Sequence, residues 1–182
     1  MKIERTPIEG LLVIEPDVFQ DTRGFFEETY NEERYRTAGI TARFVQDNQS
    51  MSSYGVVRGL HFQRGPWTQA KLVTCIMGRV LDVAVDLRKN SPTFGQWVSV
   101  ELSDENHRQL FIPRGFAHGF SVLSEKALFY YKCDNLYHKE AEGGILLNDP
   151  DLNIDWRIPE QDRILSEKDM VHPRLCETDI QL

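Results

Sequence analysis

Along most of this chain apolar and polar residues alternate with the period of two that an extended strand imposes. Residues 80–87 are the clearest case, with Leu81, Val83, Val85 and Leu87 on one face and Asp82, Ala84 and Asp86 on the other. Segments 96–102 and 127–133 carry the β-branched and aromatic residues of strands. Gly55, Gly78, Pro92 and Gly95 break these runs at the short intervals of a sandwich or closed barrel. Helix is scarce. The best case is 32–38, with Asn31 as N-cap and Gly39 as the stop, and a short turn is expected from Ser103. After Asp149 the chain turns polar and is punctuated by prolines, so 150–182 is expected to wrap a barrel. No Pro/Gly/Ser linker or repeat divides the sequence. The pattern predicts one all-β domain over residues 1–182 with a few short helices.

Composition narrows the function classes. With 41% hydrophobic and 27% charged residues the chain has globular, not disordered, composition. A net charge of −7 argues against nucleic acid or an anionic membrane as partner, while leaving room for a small anion held by a few clustered cations. The three cysteines, Cys75, Cys133 and Cys176, show no CxxC spacing, which excludes a zinc ribbon or disulfide scaffold. Met1-Lys2-Ile3-Glu4-Arg5 lacks the form of a signal peptide, and no apolar run reaches membrane-span length. A cytoplasmic protein is the expectation.

Candidate chemistry concentrates at Arg58-Gly59-Leu60-His61-Phe62-Gln63 and the following Lys71. An imidazole titrates near neutral pH and can take a proton, and a fixed cation can hold the negative charge left behind. That is the minimum equipment for abstracting a proton next to a carbonyl. Strand parity puts His61 with Gly59 and Gln63, and turns Arg58 the other way unless a bulge intervenes. Lys71 shares parity with Val73 and Cys75 in a separate strand. Periodicity alone therefore does not assemble the group, and Asp82 and Asp86 are equally good partners for the histidine. Ser166-Glu167-Lys168-Asp169 has capping-box spacing and reads as a helix start.

Pro113-Arg114-Gly115-Phe116-Ala117-His118-Gly119-Phe120 resembles the PxGxxH turn of the cupin superfamily, which implies a cupin-like (jelly-roll) β-barrel with His118 pointing inward. Metal-binding cupins pair that histidine with an HxH motif. Here the corresponding place reads His61-Phe62-Gln63, and no HxH occurs among the five histidines. The expectation is a barrel without a metal.

A longer series is more specific. Gly55 to Gln63 with Gln69-Ala70-Lys71-Leu72-Val73, then Asp82-Val83-Ala84-Val85-Asp86-Leu87-Arg88, resembles the dTDP-4-dehydrorhamnose 3,5-epimerase family. So do Ser91-Pro92-Thr93-Phe94-Gly95, Asn148-Asp149-Pro150-Asp151-Leu152, Ile154-Asp155-Trp156 and Leu165-Ser166-Glu167-Lys168-Asp169, in order and without large gaps. Trp67-Thr68 departs from the commoner small or proline residues of its loop, and Glu27 stands where an aromatic is frequent.

The resemblance implies inversion of C3 and C5 of a dTDP-linked 4-keto-6-deoxy sugar through an enolate at the C4 oxygen, with no cofactor. It implies His61 as base, Asp169 as its partner, Tyr131 as acid and Lys71 as the enolate's cation. Contacts to nucleotide and sugar are implied for Arg23, Phe26, Glu28, Gln46, Asn48, Arg58, Lys71, His118, Tyr137, Glu142 and Lys168, with Phe26 and Tyr137 stacking on the thymine. It also implies a homodimer with an N-terminal strand exchanged between subunits. A C3-only epimerase of another nucleotide-linked sugar is the alternative. His107, His138 and His172 receive no role and are expected to be solvated.

Overall fold

A computed structural model describes residues 1–180 and 182. The strands are β1 (Lys2–Arg5), β2 (Leu12–Glu15), β3 (Val18–Asp21), β4 (Gly24–Glu27), β5 (Gln46–Ser53), β6 (Val57–Gln63) and β7 (Lys71–Met77). They continue as β8 (Arg79–Asp86), β9 (Trp97–Ser103), β10 (Gln109–Ile112), β11 (Phe116–Val122), β12 (Lys126–Cys133) and β13 (Glu142–Gly144). The one α-helix among the described residues, α1 (Glu32–Thr37), is capped by the Asn31 side chain on the Arg34 amide, as the sequence led us to expect. Among the described residues no helix is long and apolar enough to cross a membrane.

A six-stranded sheet, β1-β2-β10-β7-β12-β5, faces a five-stranded sheet, β13-β6-β11-β8-β9. Together they form the all-β, cupin-like barrel, its interior filled by Val73, Cys75 and Phe129 from one wall and Phe116, Phe120 and Ala84 from the other. β3 and β4 form a separate hairpin. The strand alternation at 80–87 has a particular cause. Leu81, Val83, Val85 and Leu87 pack outward beneath Leu152, Ile154, Trp156 and Ile180 of the C-terminal segment, while Val80 and Ala84 face the barrel interior. Both faces are covered, so Asp82 and Asp86 are fully buried.

β6 changes phase midway. Arg58 stands opposite Phe120 and His61 opposite His118, so β6 spends one residue more than β11 over that stretch. Directly opposed residues share a face, and this bulge therefore turns Arg58 and His61 to the same side. The outward face shows the same shift: Val57, Leu60 and Phe62 all join one apolar cluster, which an unbroken strand could not arrange. Gly59 carries the irregularity at φ +141°, and a Cβ there would lie 2.7 Å from the Gly119 Cα. Only glycine suits both demands.

Candidate active site

On the six-stranded sheet the inward parity of three strands builds one wall of a small cavity. Tyr131 of β12 lies beside Asn48 of β5, and Cys133 lies between Gln46 of β5 and Lys71 of β7. His61 and Gln63 of β6 and Glu142 of β13 supply the opposing wall, and Tyr137 closes the rim. The enclosed volume is about 160 Å³. Base and cation, which periodicity left on unrelated strands, thus share one cavity.

His61 Nε2 lies 2.6 Å from Asp169 Oδ1. An ionised carboxylate only accepts, so Nε2–H is the donor and Nδ1 keeps its lone pair. Asp169 sits in a turn, not a helix: its amide donates to the Ser166 carbonyl at 3.1 Å and to the Ser166 hydroxyl at 3.2 Å. The helix start expected from the Ser166–Asp169 spacing does not form. The serine caps a single turn whose product is the aimed carboxylate. Burial pushes the Asp169 carboxyl up, but His61 and the hydrogen bonds from Ser166 and the Gly59 backbone outweigh it and hold the group below its usual range.

Lys71 forms no ion pair among the described residues, and its ammonium lies 5.7 Å from the centre of the Tyr131 ring. Burial lowers the Lys71 pKa, against the opposing pull of Cys133, Asp82 and Glu142. Burial raises the Tyr131 phenol, with Cys133 adding to the shift and Arg58 opposing it. Tyr131 is therefore a protonated donor at neutral pH. At the rim Glu142 accepts from Lys168 and, at 3.1 Å, from the Tyr137 hydroxyl. The Tyr137 amide donates to Gln46 Oε1 at 3.0 Å, and Gln46 donates to Asn48 at 3.0 Å. Arg58 is exposed and donates to Ser52 at 3.3 Å.

His118 does not line the cavity. It is buried behind it with Nε2 2.8 Å from Asp82 Oδ2. Burial pushes that imidazole down and the Asp82 carboxyl up, so both tend to their neutral forms. Asp82 is thus committed to His118 and Asp86 to Arg88, Ser91 and Thr93, which leaves Asp169 as the partner of His61.

Arg23, Phe26 and Glu28 also lie off the cavity. Arg23 and Phe26 stand exposed on the β3–β4 hairpin, Arg23 paired with Asp21, and Glu28 pairs with Arg34. Beside this hairpin a groove of about 660 Å³ runs over the outer face of the six-stranded sheet, lined by Phe25, Ile76, Tyr130 and Lys132 among others. It is larger than the His61 cavity and carries a histidine–carboxylate pair of its own, His107 with Glu27.

Two of the histidines expected to be solvated are not. His107 Nδ1 lies 3.1 Å from Glu27 Oε2, in contact with the Phe25 ring. His172 packs edge-on to His61, ring centres 5.7 Å apart. His138 stays partly open but stacks on Trp67 at 4.1 Å. No sequence signal pointed to His172. It reaches the dyad because the Asp169 turn carries it there.

Comparison with known proteins is consistent across the chain. A dTDP-4-dehydrorhamnose 3,5-epimerase from Methanothermobacter thermautotrophicus is 52% identical over 179 residues, covering 98% of this chain and 96% of that protein. The crystal structure of a dTDP-4-dehydrorhamnose 3,5-epimerase from Elizabethkingia anophelis superposes with a TM-score of 0.94 at 58% identity, covering 98% of each chain. A dTDP-6-deoxy-D-glucose-3,5-epimerase from Legionella pneumophila, solved in complex with dTDP-4-keto-L-rhamnose, also gives 0.94 at 54% identity, covering 98% of this chain and 94% of that one. The family model for dTDP-4-dehydrorhamnose 3,5-epimerase matches residues 5–177, and the chain belongs to that family.

Proposed function

We propose that the chain converts dTDP-4-dehydro-6-deoxy-D-glucose to dTDP-4-dehydro-L-rhamnose, inverting C3 and C5 in turn. The observation that carries this reading is the opposition of His61, oriented by Asp169, to Tyr131 and Lys71 on the facing sheet. Inversion needs a base on one side of the carbon and an acid on the other, and the two walls supply them.

His61 Nδ1 takes the proton from C3, and the resulting imidazolium is stabilised by Asp169. The electron pair moves into the C3–C4 bond and onto the C4 oxygen, next to the Lys71 ammonium. Tyr131 returns a proton to the opposite face of C3, and the pair collapses back to the ketone. Solvent then takes the proton from His61 and restores the one on Tyr131, and the cycle repeats at C5. Every step is a proton transfer, so the reaction calls for no redox cofactor.

Gln46, Asn48, Arg58, Tyr137, Glu142 and Lys168 surround the mouth and are read as substrate contacts, with His118 acting from behind through the field it shares with Lys71. Arg23, Phe26 and Glu28 fit a different part of the reading: in a homodimer the β3–β4 hairpin of one subunit reaches the cavity of the other. The exposed Phe25, Phe26 and Ile76 beside the outer groove support such a contact. We read residues 1–182 as one catalytic domain working in the cytoplasm, in keeping with three free cysteines.

The test is to incubate the keto-sugar nucleotide with the protein in D₂O and locate the deuterium. Label at both C3 and C5 is the expected result. Label at C3 alone selects the single-site epimerase, and label at neither sinks the epimerase reading.

A further inference from the structure

His172 sits where nothing in the proposed reaction requires it. Its side chain is only 13% exposed, and Nε2 is buried without a hydrogen-bond partner among the described residues. A buried donor or acceptor left unpaired is costly, so such an atom is a place to look for a ligand. The ring is seated on Gly144, where a Cβ would come within 2.3 Å of Nε2. Gly144 is in turn the β13 residue paired with His61. The missing side chain at 144 is therefore what lets a second imidazole stand beside the dyad.

His172 Nε2 lies 3.7 Å from the same Asp169 oxygen that His61 Nε2 meets at 2.6 Å. One ligand-type atom from each of His61, Asp169 and His172 falls within 4.8 Å of the other two. Zinc bonds of about 2.0–2.1 Å at tetrahedral angles put ligand atoms about 3.3–3.4 Å apart. The observed 2.6 and 3.7 Å separations bracket that figure. Two imidazoles and one carboxylate are a donor set that zinc favours, with the fourth position left to water.

We propose that His61 Nε2, Asp169 Oδ1 and His172 Nε2 form a binding site for a divalent zinc-type cation, and that filling it inhibits the enzyme. The cation takes the Nε2 lone pair of His61, and the Nε2 proton leaves to solvent. A neutral metal-bound imidazole then carries its one proton on Nδ1, the nitrogen assigned to proton abstraction, so the base is occupied. Capture of the metal follows from the geometry alone, whereas the inhibition rests on the epimerase reading.

The experiment is equilibrium dialysis of metal-stripped protein against Zn²⁺ in a non-chelating buffer, with exchange of substrate protons followed in parallel. The wild type is expected to bind one zinc more per chain than His172→Asn, or to bind it at least tenfold more tightly. Its exchange rate should fall as that site fills and return on adding EDTA. His172→Asn should keep the basal rate and need at least tenfold more zinc for half-inhibition. His172→Phe, which refills the seat beside Gly144, should behave the same way and guards against a misfolded variant. Equal zinc stoichiometry and affinity in wild type and both variants would overturn the site. Zinc that binds through His172 yet leaves exchange untouched overturns the inhibition. Absence of exchange in the metal-free wild type counts against the epimerase reading, and the dialysis still decides the site.

Discussion

His61 Nε2 and Asp169 Oδ1 meet at 2.6 Å across 108 residues of chain, and this contact fixes which imidazole nitrogen is left free to take a proton. Asp169→Asn retains the shape but removes the charge that selects the tautomer and steadies the imidazolium. Proton exchange at C3 and C5 should fall about 10²–10⁴-fold with nucleotide binding preserved. Exchange within threefold of wild type would remove Asp169 from the mechanism. The carboxyl is held below its usual range, so the wild type should show no titration attributable to Asp169 above about pH 4.

Tyr131 and His61 belong to opposite walls, so their loss should be distinguishable. Tyr131→Phe should impair net inversion at least tenfold more than it impairs wash-in of deuterium, because the base still works. A comparable loss in both measurements would deny the phenol a separate role as acid.

Gly59 combines a φ of +141° with a 2.7 Å approach of any Cβ to Gly119. Gly59→Ala should cost about 2–4 kcal/mol in a thermal or denaturant unfolding measurement, from backbone strain and overpacking together. A loss under 0.5 kcal/mol would mean that the strand relaxes freely there.

Asp86 is fully buried, and burial pushes its carboxyl up. Hydrogen bonds from Arg88, Ser91 and Thr93 outweigh that and hold it well below the carboxylate range. A folded-state pKa below the unfolded one stabilises the protein above about pH 3.9, and that contribution is lost as pH falls toward the folded value. Asp86→Asn should destabilise by about 3 kcal/mol at neutral pH and flatten the acid side of the stability profile. An unchanged acid slope would place the acid sensitivity elsewhere.

The strands at 80–87, 96–102 and 127–133 were legible because their side-chain alternation reflects which face is buried. The bulge in β6 was not, since Arg58 to His61 reads as ordinary strand until a partner strand is paired with it. Asp82, Asp86 and Asp169 were indistinguishable as partners for His61, because that choice depends on contacts across sheets and a distant turn. Family resemblance favoured Asp169, and the burial of the other two against His118 and Arg88 gives the physical reason. His172 reads as solvated in the sequence because its environment is set by a glycine in another element.

The phase change in β6 makes chain length, and not only composition, a requirement of this strand. Removing one of the two residues between Arg58 and His61 would restore a regular ladder with both side chains still on one face, but would take away either the glycine that lets β11 approach or Leu60 from the outer apolar cluster. Substitutions here alter a contact, whereas a deletion removes the bulge itself. Relatives that keep this chemistry should therefore keep the number of residues between the two side chains as well as the glycine.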